Sequence, residues 1–228
     1  MAHATETGGV PSFSANYQVK YGLLRGKMTL ELERRDSAYV YETSLSPAGL
    51  VTLFKRGTIT ESTTLIDAGG TLRPIDYYSR DTIANPERIT TYQFDYDSGR
   101  VTGQYKSQEI DEPMRADGQN RISGQVAIMV ALQSGTEISN FSVFDRGRWK
   151  DYQLEITRDQ TVKTHAGTFD TVEVSYSSSD KDRRWSTHFA THLGYMPVMV
   201  VFYEDGKLKS RAQLTDYEIE GVEYSHQE

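Results

Sequence analysis

Two histidines, His188 and His192, stand four residues apart in a chain of 228 residues. On a helix that spacing would put both imidazoles on one face, where they could share a metal ion. The residues around them read differently. Trp185, Thr187 and Phe189 alternate with more polar neighbours, and Gly194 and Pro197 follow, so the segment reads as a strand. At about 3.3 Å per residue the two rings then stand roughly 13 Å apart, too far for zinc–nitrogen bonds of about 2 Å. Asp95 and Asp97 are the best carboxylate pair for acid–base work. They flank Tyr96 just before Ser98-Gly99, where Asp commonly forms turns. A glycosidase would instead place its two carboxyl groups on opposite sides of a cleft. Lys181, Arg183 and Arg184 beside Trp185 form the one basic–aromatic cluster. It could hold an anionic sugar or a lipid head group, although the same charges suit a solvated hairpin tip.

Motifs for other chemistries are missing from the sequence. It contains no G-x-S-x-G, no H-E-x-x-H and no S-x-x-K with its companions. The phosphate-cradling G-x-G-x-x-G and G-x-x-x-x-G-K-[ST] are also absent. With no cysteine there is no thiolate metal site, iron–sulfur cluster, disulfide or cysteine nucleophile. The 32 Asp and Glu outnumber the 25 Lys and Arg, giving a formal charge of −7. That balance disfavours nucleic acid, whose phosphates are bound mainly by Lys and Arg. The expectation is a protein with no catalytic residues, no metal and no cofactor. No stretch approaches the roughly 20 apolar residues of a membrane-spanning helix.

The elements that must position any site are strands. Phe13, Ala15, Tyr17, Val19 and Tyr21 alternate with Ser14, Asn16, Gln18 and Lys20, and Met28, Leu30 and Leu32 repeat the pattern. Further period-2 runs occur at Tyr92-Phe94-Tyr96, Leu154-Ile156, Val172-Val174-Tyr176 and Trp185-Thr187-Phe189. One dry and one wet face imply antiparallel pairing. Turn signals fall between the runs, among them Tyr21-Gly22, Asp97-Ser98-Gly99, Arg146-Gly147 and Asp205-Gly206. The last suits a two-residue type I′ hairpin, because glycine tolerates the positive φ it needs.

Two segments break the alternation. Ser46 to Phe54 is apolar without period and reads as a short helix or a loop. Residues 123–133 read as a helix, with Ser123 as N-cap and Gly135 just past the end. Its centre is apolar all round, so it must be buried on most sides. The expected fold is all-β: one strongly curved antiparallel sheet or open barrel of more than ten strands, with this helix across its concave face. The expected organisation is a tail over 1–11, one β domain over 12–220 and a second tail over 221–228.

Several pieces resemble a family of exported bacterial proteins known only as a domain of unknown function, number 3108 in that series. They are Tyr39-Val40-Tyr41-Glu42, Pro47-Ala48-Gly49-Leu50 with Leu53-Phe54, and Leu72-Arg73-Pro74-Ile75. Phe94-Asp95 with Gly99-Arg100-Val101-Thr102-Gly103 follows, and then the run from Gly167 to Val174. Leu193-Gly194-Tyr195-Met196-Pro197-Val198, leading to Glu204-Asp205-Gly206, is the most specific. Together they cover roughly residues 12 to 217. The chain departs from the family pattern at Asn120-Arg121, where aspartate–arginine is usual, and around His188-Phe189. The resemblance implies a periplasmic location and a cleaved leader, consistent with the A-x-A triplet Ala2-His3-Ala4. It carries no known catalytic residues.

A curved sheet with a helix on its concave side also resembles the lipoprotein carriers of the bacterial envelope. The leading expectation is therefore a periplasmic, non-catalytic binding or carrier protein for a lipidic or other apolar ligand. Leu50, Leu53, Phe54, Met129, Trp185 and Met199 are the candidate lining residues, with ordinary core packing as the competing account of all six. The alternatives are an envelope interaction protein without a small ligand, docking a partner protein along a strand edge, and a polysaccharide-active enzyme using Asp95 and Asp97.

Overall fold

The computed structural model describes residues 9–36, 38–49, 52, 56–178 and 182–220. Strands β1 (Phe13–Tyr21), β2 (Leu24–Arg35), β3 (Ala38–Ala48) and β4 (Ile59–Asp67) follow one another as an antiparallel meander. The short β5 (Leu72–Pro74) folds back on β4. Then β6 (Asp76–Asp81), β7 (Arg88–Asp95), β8 (Arg100–Tyr105) and β9 (Gln108–Pro113) carry the sheet to one edge. The other edge is β10 (Gln119–Asn120), parallel to β11 (Asn140–Asp145). From there β12 (Arg148–Lys163), β13 (Thr168–Ser178), β14 (Arg183–Ala190), β15 (Met196–Glu204) and β16 (Lys207–Ile219) run back to the middle, where β16 pairs with β1. All sixteen strands belong to one sheet. The all-β, strongly curved architecture expected from the alternation is the architecture observed.

Alternation decides the inner face. Ala15 and Tyr17 of β1, Leu30 and Leu32 of β2, Tyr41 of β3, Leu65 of β4, Phe94 of β7, Val101 of β8 and Leu214 of β16 are all buried. Between them Lys27 and Glu31 stay exposed. The segment from Ser46 departs from the expected helix or loop. Ser46, Pro47 and Ala48 complete β3, paired in register with Lys27, Gly26 and Arg25, because the β2 ladder offers their backbone partners. The ladder ends at Gly49, whose φ of 67° turns the chain away.

The helix α1 (Ser123–Ser134) lies inside the curl, with Val126 and Met129 wholly buried. That placement explains its apolar character on every side. Gly135, in the left-handed region, ends it by donating its N–H to the last carbonyls, as expected. The N-terminus is capped differently from the expectation. Ser123 is not the cap; the Asn120 Oδ1 accepts the N–H groups of Ile122 at 3.1 Å and Ser123 at 2.9 Å. Its Nδ2 donates to the Thr63 hydroxyl at 2.8 Å, tying the helix start to β4. An aspartate in this place would have no N–H to give Thr63.

The sheet is curled but not closed: among the described residues β9 and β10 are not paired. Side chains bridge the gap instead. The hairpin joining β11 to β12 packs onto β7–β9, with the Phe144 ring 4.9 Å from Tyr92 and 6.3 Å from Phe94. The Trp149 indole N–H donates to the Pro113 carbonyl at 2.8 Å, and the Gly147 N–H donates to the Tyr92 hydroxyl at 3.1 Å.

Candidate ligand-binding site

Between α1 and the inner face of β11–β15 lies a cavity of about 450 Å³. Its wall is a row of five aromatic rings, one from each strand. Phe141 of β11 stacks on Tyr152 of β12 at 5.6 Å, and Tyr152 meets Tyr176 of β13 edge-on at 5.7 Å. Tyr176 stacks on Trp185 of β14 at 5.6 Å, and Trp185 stacks on Phe202 of β15 at 4.9 Å. Strand register makes the row, since Tyr176, Trp185 and Phe202 are direct cross-strand neighbours. Ile122, Gly124 and Ile128 of the helix segment line the opposite side. Gly124 is required there, because a Cβ would sit 2.9 Å from the Phe141 ring. A second cavity of about 490 Å³, lined by Ala127, Ala131, Ile138 and Leu154, shares Gly124, Ile128 and Phe141 with the first. The helix therefore stands between two hollows.

The aromatic cup also carries charge. Arg121, Arg146, Lys150 and Arg183 line it, against a single lining carboxylate, Asp145. Asp145 is paired with Lys150 and lies 3.8 Å from Arg146. Arg183 pairs with Glu204 at 2.7 Å. Arg121 lies 3.3 Å from Glu61, whose side chain is buried and accepts the Tyr77 hydroxyl at 2.5 Å. Glu61 raises the already high pKa of Arg121, keeping the guanidinium charged. Burial, then the Glu61 charge, holds the Tyr77 hydroxyl protonated well above the ordinary tyrosine range. Burial does the same for Tyr176. The Arg121 side chain nevertheless keeps 55% of its surface, and it belongs to the cavity lining. Part of that exposed surface lines the cup. An aromatic wall with an accessible cation is chemically suited to an amphiphile with an acidic group.

The residues singled out from the sequence fall in several places. Trp185 belongs to the aromatic row, stacked between Tyr176 and Phe202. Met129 is packed in the core and is not part of either cavity's lining. Met199 pairs with His188 and Gln213, on the strand face opposite the cup-lining Val200 and Phe202. Leu50, Leu53 and Phe54 lie outside the described residues, as does Lys181. Asp95 serves its turn: its Oδ1 accepts the N–H groups of Asp97 and Ser98, and the Ser98 side chain, followed by these backbone N–H groups, lowers its pKa. Neither Asp95 nor Asp97 reaches the cup. His192 stacks on Phe169 at 5.8 Å, while His188 contacts the Thr171 hydroxyl at 3.4 Å. Among the described residues no group of three or more metal-ligating side chains converges.

His188 has a consequence for stability. Burial lowers its pKa from 6.5, with Arg211 assisting and Glu173 opposing. The folded ring resists protonation while the unfolded one accepts it, so between the two pKa values the unfolded state binds more protons. Stability therefore falls as pH drops through about 6.5 and is fully kept above it. Urea melts at pH about 7.5 and about 5.5 should show this loss, and His188→Asn should reduce it. An unchanged pH slope in the variant would assign the effect elsewhere.

A curled sheet around a buried helix, with a hollow between them, defines a barrel-like β-protein. Among the described residues no helix is long and apolar enough to cross a membrane. The chain belongs to the family described as "Protein of unknown function (DUF3108)", whose profile matches residues 14–211. No curated protein matches it. Its fold is similar to that of a beta-barrel-like protein of the domain of unknown function DUF1849 from Brucella abortus. The TM-score is 0.64 at 11% identity, over 94% of this chain and 100% of that one. A weaker likeness, with a TM-score of 0.39 at 10% identity, is to the Pseudomonas aeruginosa MucA/MucB complex structure. It covers 94% of this chain and 53% of the matched one.

Proposed function

We propose that this protein is a non-catalytic binding protein of the cell envelope that holds a lipidic amphiphile in the aromatic cup. The apolar part of the ligand lies along Phe141, Tyr152, Tyr176, Trp185 and Phe202, and its acidic group faces Arg121 and Lys150. The observation that carries this reading is the five-ring wall beside Arg121, a half-exposed cation of the same lining. A volume of about 450 Å³ lies within the ordinary range of ligand sites. The envelope location rests on the family resemblance read from the sequence. A binding role is favoured over catalysis by the occupation of Asp95 in its own turn.

A bromine-labelled fatty acid provides the direct test, because bromine quenches tryptophan fluorescence at contact. Saturable quenching is expected in the native protein and should be largely lost in Trp185→Phe, leaving only Trp149. Absence of quenching, together with no lipid co-purifying in native mass spectrometry, would overturn the reading.

A further inference from the structure

The end of the sheet at which the cup lies carries an apolar rim. Leu23, in the two-residue turn between β1 and β2, is 99% exposed, and Tyr21, Leu24 and Leu208 are each about half exposed. These residues are neighbours. Tyr21 pairs with Leu24 across the β1–β2 hairpin and with Ser210 on β16. The Gly22 N–H donates to the Lys209 carbonyl at 3.2 Å, joining that turn to the β15–β16 hairpin. The Asp205 N–H donates in turn to the Asp182 carbonyl at 2.9 Å, next to the Arg183 that lines the cup. One cross-strand row connects rim and cup: Tyr21 is opposite Ser210, Ser210 opposite Phe202, and Phe202 opposite Trp185. Alternation then puts Lys20 and Arg25, themselves a cross-strand pair, on the other face of the same hairpin.

One turn leucine and three half-exposed side chains at strand ends do not make the flat, packed patch of a stable protein interface. They can enter a lipid surface one at a time. A chain of charge −7 is repelled by an anionic bilayer unless cations sit where it touches. Lys20, Arg25 and Lys207 are the exposed cations flanking these leucines, while Lys209 beside them is paired with Glu204 at 3.9 Å. The geometry points to this rim as a docking surface for an anionic lipid bilayer, with Leu23 and Leu208 inserting and the flanking cations facing the head groups. The cup is then held with its aromatic wall continuous with the membrane surface. This inference does not depend on what the cup holds.

Co-sedimentation of the full chain with vesicles tests it. Phosphatidylglycerol–phosphatidylethanolamine vesicles should bind the protein at least tenfold more tightly than phosphatidylcholine vesicles, and added salt should weaken that binding. Both Leu23→Glu/Leu208→Glu and Lys20→Glu/Lys207→Glu should lower the affinity at least tenfold. Leu23 lies in a turn and Lys20, Lys207 and Leu208 are exposed residues at strand ends, so thermal melts should remain close to native. The inference is overturned if anionic vesicles fail to bind, if either double variant binds like the native chain, or if charge and salt make no difference. It is equally overturned if the native chain forms a dimer that Leu23→Glu/Leu208→Glu dissociates, since the leucines would then meet a second copy. Loss of fatty-acid quenching with vesicle binding intact would strike the cup assignment alone.

Discussion

Phe144→Ala should destabilise the fold by about 3–5 kcal/mol, close to the upper range for single core truncations. Phe144 is wholly buried and meets three rings: Tyr92 at 4.9 Å, Trp149 at 5.0 Å and Phe94 at 6.3 Å. Removing it loses the transfer free energy of a phenyl ring and leaves a hole that stiff strand backbones fill poorly. Its position adds a second effect. In most of the sheet a lost contact leaves the ladder hydrogen bonds intact, but between β9 and β10 the described residues form no ladder. Side-chain packing is what holds the curl shut there, with help from the Trp149 and Gly147 hydrogen bonds. Urea titration should show the midpoint shift, and amide exchange should rise first in β9 and β11. A loss under about 1 kcal/mol would mean that the gap is held by other contacts.

Val200→Trp should reduce acyl-ligand affinity by at least about tenfold, which corresponds to about 1.4 kcal/mol. Val200 is a half-buried lining residue of β15, directly opposite Thr187 and two residues from Phe202. A side chain the size of indole at that point extends into the cup and occupies space proposed for the apolar part of the ligand. Arg121→Gln should weaken binding of a fatty acid while sparing that of the matching fatty alcohol, because only the acid offers an anion. If Val200→Trp binds the fatty acid as the native chain does, and melts normally, the ligand lies elsewhere. The second hollow, lined by Ala127 and Ala131, is then the next candidate.

Much of the fold could be read from single residues. In β1 the alternation of Phe13, Ala15 and Tyr17 against Ser14 and Asn16 matches the burial observed. Asp205-Gly206 forms the expected tight turn, with φ of 54° and 67°. The cup was harder to see, because its five rings come from five strands and only pairing register brings them together. Trp185 could be chosen from composition, whereas Phe141, Tyr152, Tyr176 and Phe202 look like ordinary strand aromatics. Met199 shows a different limit. The run Met196 to Tyr203 is apolar on both parities, so no period marks its faces. Bulges at His188/Phe189 and at Phe202/Tyr203 shift the register further. At the helix start the sequence points to Ser123, whereas Asn120 makes the capping contacts. Thr63, 57 residues away from Asn120, supplies the contact that engages the carboxamide.

The pairing of β1 with β16 at the middle of the sheet also sets an order of events in time. Every other long pairing joins strands that are close in sequence, whereas this one brings Phe13 opposite Ile219. The two halves of the sheet, β1–β9 and β10–β16, can each form hairpin by hairpin as the chain is synthesised. They become one sheet only when β16 has emerged. Until then the inward edge of β1, with its buried-to-be Phe13, Ala15 and Tyr17, has no strand beside it. Closing so long a loop is slow compared with local hairpin formation. The β1–β16 pairing is therefore expected to form later than the hairpins on either side of it.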